Sequence, residues 1–89
     1  MAKKKIHLVK AMDGDRVEYV SRVWQTDYNG PFIVEYTDSI EGAIHYKARF
    51  RAEDDASLLN SSALRRRCKS LAEAVGNRHF VPMTLEVNA

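Results

Sequence analysis

One amphipathic segment, Ser61 to Gly76, constrains the fold more than any other part of this chain. In a helix that turns by ~100° per residue, its apolar and polar side chains separate onto two sides. The apolar side carries Leu64, Cys68, Leu71, Ala72 and Val75, and the polar side carries Arg65, Arg66, Lys69 and Glu73. Gly76 is a common residue just past a helix end, because glycine adopts positive φ without strain. The sequence therefore predicts a helix over 61–75 that covers one face of a small sheet.

The segments on both sides of this helix have the composition of strands. Asp13-Gly14 favours a tight hairpin turn, so we predict strands at about 4–12 and 15–25. A second turn, Tyr28 to Pro31, precedes a predicted third strand at 32–37. A last strand is predicted at 80–87, with the alternating residues Val81, Met83, Leu85 and Val87 facing the core. Pro82 has no amide donor, which indicates an edge strand or a bulge.

A second, shorter helix is predicted between the third strand and the long helix. Asp38 and Glu41 match a capping box, so this helix should begin at Ser39 and end near Lys47. The pattern over 48–60 has no consistent apolar face and predicts a loop or an irregular helix. Alternatively, the pair Asp54-Asp55 caps an early start of the long helix, which then runs from about 55 to 75 with a bend near Ser61.

Together these elements predict an α+β fold. Its antiparallel sheet has about four strands, a meander of three plus a C-terminal strand, and packs on one long and one short helix. Eighty-nine residues suit one hydrophobic core, so we predict a single domain over 1–89, with 1–4 as a candidate for disorder. No apolar run approaches the ~20 residues of a membrane span, and one cysteine forms no internal disulfide. We therefore expect a cytoplasmic protein with no membrane association.

No local spacing in the sequence is typical of a catalytic site, a metal site or a phosphate-binding loop. We therefore expect a non-enzymatic protein with no cofactor and no metal. The position of Cys68 on the apolar side of the helix predicts a small buried side chain. The alternative is a small enzyme built on Cys68 and one of His7, His45 and His79, which requires an accessible thiol with a base close to it.

The sequence leaves two candidate contact surfaces. On the predicted helix, Arg65, Arg66 and Lys69 share a solvent-facing side, which is either merely solvated or binds an acidic protein or nucleic acid. Trp24 lies on the more polar side of its strand, and a partly exposed tryptophan more often marks a protein contact than a platform for nucleic-acid bases. We therefore predict a module that binds another protein, with Arg65, Arg66, Lys69 and Trp24 as contact residues.

Two other kinds of partner remain open at this stage. A nucleic-acid-binding module would use a basic helix face together with the basic N-terminus, that is, Arg65, Arg66 and Arg67 with Lys3, Lys4 and Lys5. However, a net charge of +2, from 14 basic and 12 acidic residues, is weak for such a protein. Self-association is the other alternative, because exposed strand edges pair readily, and we expect a monomer or a weak homodimer.

The run Tyr36-Thr37-Asp38-Ser39-Ile40-Glu41-Gly42-Ala43 lies after strands and before a predicted helix and a closing strand. This order of elements resembles that of small phage and prophage proteins, in which strands end at an aromatic-Thr-Asp cap and an alanine packs the helix that follows. The resemblance covers roughly half of the chain. It implies a phage or prophage origin and transfers no functional residue.

Overall fold

In the computed structural model, which describes residues 3–25 and 31–88, a four-stranded antiparallel sheet packs against three helices. The elements in chain order are β1 Lys3–Asp13, β2 Arg16–Gln25, β3 Phe32–Thr37, α1 Arg49–Asn60, α2 Ser62–Arg67, α3 Lys69–Val75 and β4 His79–Asn88. The predicted α+β class is confirmed, and the strand order is β3-β2-β1-β4. Within the described residues, no helix is long and apolar enough to cross a membrane.

The strands lie close to their predicted positions. Gly14, with φ of 61°, occupies the first of two turn residues between the paired Asp13 and Arg16, so the predicted hairpin is confirmed. Strand β4 pairs with β1 from Lys3 opposite Asn88 to Met12 opposite His79, and it lies at an edge of the sheet, which Pro82 had indicated. Lys3, at the predicted disordered start, is thus a strand residue. Residues 28–30 of the predicted second turn lie outside the described residues.

The helix predicted from Ser39 to Lys47 is wrong. This segment forms turns, and its end lies between β1 and β2, whose paired register runs only from Lys10 to Asp13 on β1. The amide of Ile44 donates to Val20 O at 3.0 Å, and the amide of Tyr46 donates to His7 O at 2.8 Å. Where β1 and β2 move apart, the carbonyl groups of His7 and Val20 need hydrogen-bond donors, and this segment supplies them. The segment also packs Ile44 and Tyr46 against the core. This tertiary gain outweighs the local helix signal.

The helical region differs from the prediction in two ways. Residues 49–60, predicted as a loop or irregular helix, form the longest helix, α1, whose buried residues are Ala52, Ala56 and Leu59. The expected long helix over 61–75 is instead two short helices, because Cys68 has extended backbone angles of −124° and 102°. Ser61 separates α1 from α2 and caps α2 by accepting the Leu64 amide at 3.2 Å. As predicted, Gly76 ends the last helix with positive φ.

All three helices lie on the same side of the sheet. The core between them contains strand residues such as Val9, Val20 and Phe80 and helix residues such as Leu71 and Val75. Because Phe80 points into this core, strand alternation turns its neighbours on β4 to the opposite side. The prediction that Val81, Met83, Leu85 and Val87 face the core is therefore wrong.

Candidate functional site

The sheet face that points away from the helices, called the outer face here, is mainly apolar. The register and strand alternation place on it Ile6, Leu8, Met12, Val17, Tyr19, Trp24, Ile33, Val81, Met83, Leu85 and Val87. None of these residues belongs to the core beneath the helices or packs against it. An antiparallel sheet that is covered on one side ordinarily carries polar residues on the other. The composition of this outer face therefore indicates that something else covers it.

The most continuous part of the outer face lies on the adjoining strands β1 and β4. Ile6 is paired with Leu85 and Leu8 with Met83, so these side chains lie side by side. The apolar strip, as we call it, consists of Ile6, Leu8, Val81, Met83, Leu85 and Val87. Leu8 is buried, whereas the other members are each partly exposed to solvent. Lys10, paired with Val81, and Lys4, paired with Val87, are charged residues beside the strip.

Trp24 lies at the opposite side of the outer face, near the end of β2. Its side chain is 38% exposed, in agreement with the prediction that it is partly exposed. The guanidinium carbon of Arg22 is 5.0 Å from the centre of the Trp24 ring, and Arg22 also forms a 3.2 Å ion pair with Glu35. Ile33 is the cross-strand partner of Trp24. An aromatic ring with an arginine and an apolar neighbour is typical of protein contact sites.

The structure does not bring Arg65, Arg66 and Lys69 onto one helix face. Arg65 turns towards the end of α1, where its Nε and Nη2 donate to Leu59 O at 3.0 and 2.7 Å. Its Nη2 also donates to Arg78 O at 3.2 Å, so Arg65 is structural and half-buried. Arg66 is exposed on α2, whereas Lys69 is on α3, with a 90% exposed side chain 3.9 Å from Glu73. The break at Cys68 separates the two.

A basic cavity, unrecognised in the sequence, lies where the segment after Ala43 meets the start of β1. Its volume is about 370 Å³, and its lining residues are Lys4, Lys5, Ile6, His45, Tyr46 and Lys47. Among the described residues, Lys4, Lys5 and Lys47 have no carboxylate within ion-pair distance. Periodicity could not find this cluster, because it requires residues 44–47 to lie beside β1 rather than on a helix.

Two half-buried tyrosines fix the elements around these surfaces. The Tyr46 hydroxyl donates to the Asp55 carboxylate on α1. Burial first, and then the hydrogen bond and charge of Asp55, raise the pKa of Tyr46 above its ordinary value. The Tyr36 hydroxyl donates to Ala74 O at 2.7 Å, and burial also raises the pKa of Tyr36, against the opposing charge of Arg78. These contacts attach the 44–47 segment and β3 to the helices.

The surroundings of Cys68 bear on the enzyme alternative. Its Sγ is 3.2 Å from Ser70 Oγ, and this hydrogen bond, followed by one from the Leu71 backbone, lowers the pKa of the half-buried thiol. The ring of His7 hydrogen-bonds Thr84, and that of His45 hydrogen-bonds Ile40 O, so neither is the partner of Cys68. In residues 3–25 and 31–88, His, Cys, Asp and Glu side chains form no group of three or more suited to a metal ion.

Comparison of the chain with protein-family models, with curated proteins and with solved structures gave no match in any of the three. The function is therefore inferred from the residues of this chain and their surroundings. The feature that the fold of the described residues explains least is the outer face, because its apolar side chains do not pack against the core.

Proposed function

We propose that this protein is a small non-enzymatic module that binds another protein through the outer face of its sheet. The observation that supports this function is the apolar strip on β1 and β4, together with Trp24 on β2. Contiguous apolar patches on small proteins are typical of interaction sites. The buried centre of a protein interface is likewise apolar and enriched in aromatic residues and arginine, a composition that Trp24 and Arg22 share.

The form of the outer face favours a protein over a small molecule as partner. A small ligand needs a concave site that surrounds most of its surface. A broad face of a twisted sheet instead matches another sheet or a helix, because packed sheets lie about 10 Å apart and interdigitate their side chains. Arg22 and Glu35 beside Trp24 can supply the polar rim of such a contact.

The proposal includes the setting in which the module works. The one cysteine of the chain is free, so its fold needs no oxidising compartment, and we place the protein in the cytoplasm. The resemblance of residues 36–43 to the element order of phage and prophage proteins supports a phage-type origin.

Site-specific photo-crosslinking in the native host tests the binding surface. A benzophenone amino acid is placed at Trp24, at Leu85, or at Lys69, which is exposed on the helix side and serves as the comparison position. We expect discrete protein adducts from the two outer-face positions and none from Lys69. Adducts from Lys69 alone would move the contact to the helix side, and adducts from no position would contradict a stable protein partner.

The basic cavity supports nucleic acid as a second candidate partner. Lys4, Lys5 and Lys47 provide ammonium groups that no carboxylate of the described residues pairs, around a cavity that Tyr46 also lines. Binding to phosphates by such groups weakens steeply with salt, because each contact releases a counterion. Fluorescence anisotropy with a single-stranded oligonucleotide at low and moderate salt tests this candidate. Lys47→Glu should weaken binding more than Lys69→Glu, which makes the same charge change at a residue that does not line the cavity. Equal effects of the two substitutions would contradict the cavity as the binding site.

A further inference from the structure

We infer that the surface that covers the apolar strip is a second copy of this chain, so that two sheets pack face to face in a symmetric homodimer. This inference rests on the proposed use of the outer face and names its occupant. Three observations support a second copy: the surface area of the folded chain, the protection of the sheet edges, and the absence of charge within the strip.

The folded chain exposes more surface than its mass requires. Its accessible surface is 6043 Å² for a mass of 10.2 kDa. A folded monomer of this mass exposes about 5,300 Å² on average, so the excess is roughly 700 Å². A standard protein interface buries about 800 Å² on each partner. The total counts all 89 residues, and its excess is comparable in size with the area that one copy buries in a stable dimer.

The edges of the sheet are partly closed to another strand, which leaves the face as the contact. On β4, both backbone groups of Phe80 bond the side chain of Asn60. In an antiparallel pair, the N–H and C=O groups of every second residue point away from the neighbouring strand. Pro82, two residues after Phe80, therefore faces the open edge as well, and it has no N–H group to donate to an added strand. At the other edge, the amide of Phe32 on β3 donates to Ser70 Oγ at 3.1 Å. Both edges thus have blocked positions where an added strand would bond.

The strip is chemically suited to contact with its own image. A twofold interface places the same patch on both partners, so a charged patch would oppose itself. Every member of the apolar strip is uncharged. Lys10 and Lys4, the partners of Val81 and Val87, border the strip, and their long aliphatic stems can lie over apolar neighbours while their ammonium groups reach the rim. A face-to-face dimer therefore buries the strip without burying a like-charge pair at its centre.

Analytical ultracentrifugation of the full chain over a wide concentration range tests the dimer. We expect the mass of two chains at the higher concentrations. Leu85→Lys, and independently Val81→Lys, should weaken dimerisation at least about a hundredfold, because a symmetric dimer would bury two unpaired ammonium groups. Ala63→Lys, which adds the same charge at an exposed position on α2, should leave the dimer unchanged. Circular dichroism establishes that each variant is folded.

The outcomes separate this inference from the proposed function. A wild-type chain that stays monomeric, while the crosslinker at Leu85 captures a different protein, overturns the second copy and leaves the outer face as a binding surface. A wild-type dimer that folded Leu85→Lys and Val81→Lys leave intact overturns the face-to-face arrangement. A monomer with no adduct at Leu85 or Trp24 overturns the inference and the proposed function together.

Discussion

Asn60 holds the backbone of Phe80 with both ends of its side-chain amide. Its Nδ2 donates to Phe80 O at 2.7 Å, and its Oδ1 accepts from Phe80 N at 2.9 Å. Asn60 is the last residue of α1, and Phe80 is the second residue of the edge strand β4. The side chain therefore bonds Phe80 as a neighbouring strand would, and it fixes the end of α1 to the edge of the sheet.

Replacing Asn60 tests this attachment. Asn60→Ala removes both hydrogen bonds, and we expect it to lower the free energy of unfolding by about 1–3 kcal/mol. Ser57→Ala, at an exposed position on the same helix, is the matched control and should change it by no more than about 0.5 kcal/mol. Urea unfolding at one fixed protein concentration measures both. Equal effects of the two substitutions would mean that Asn60 does not stabilise the edge.

Arg65 and its neighbour Arg66 should respond very differently to truncation. Arg65→Ala leaves Leu59 O without the charged donors that bind it, so we expect a loss of about 1.5–3 kcal/mol of stability. Arg66 is exposed, and Arg66→Ala should stay within about 0.5 kcal/mol. Thermal and urea unfolding compare them, and Arg65→Lys should recover part of the loss. Similar stabilities of the two alanine variants would mean that Arg65 faces solvent and does not stabilise the end of α1.

The Tyr46 to Asp55 contact predicts a loss of stability at alkaline pH. The folded protein raises the pKa of Tyr46 above its ordinary value of 10.0, mainly through burial. Above about pH 10 the unfolded chain releases this proton while the folded chain keeps it, so the free energy of unfolding falls as pH rises. Tyr46→Phe should be about 1 kcal/mol less stable at neutral pH and should lose less stability between about pH 9 and pH 11.

Urea unfolding at a series of pH values measures this difference. A residual alkaline loss is expected in the variant, because burial also raises the pKa of Tyr36. If wild type and Tyr46→Phe lost stability equally with rising pH, the hydroxyl of Tyr46 would not be protected by the fold.

Local signals in the sequence predicted the elements whose structure is decided locally. Asp13-Gly14 made a hairpin because glycine accepts the positive φ of the turn, and Gly76 ended a helix for the same reason. The region of α1 was predicted only as a loop or irregular helix, because its buried stripe begins with Ala52 and Ala56, which are too small to dominate an apolar pattern. The 39–47 segment was mispredicted because its bonding partners, on β1 and β2, are distant in sequence.

The candidate surfaces were predicted only in part, since they depend on which side of the sheet the helices occupy. The exposure of Trp24 followed from its strand position, but the four β4 residues of the apolar strip were assigned to the core. A signal was present: Leu8 with Val9, and Phe80 with Val81, are adjacent apolar residues, so both sides of these strands are apolar, as in strands that are covered twice. The role of Arg65 depends on a carbonyl position that no pattern encodes.

Paired truncations in the core and in the strip distinguish the two sides of the sheet. Leu71 is fully buried beneath the helices, and Leu71→Ala should destabilise by about 2–5 kcal/mol at any protein concentration. Leu85 is partly exposed in one chain, so Leu85→Ala should cost under about 1 kcal/mol at the lowest concentrations and more as dimers form. Urea unfolding at low and high concentration measures this. An equal loss for both at the lowest concentration would mean that the chain itself covers the strip.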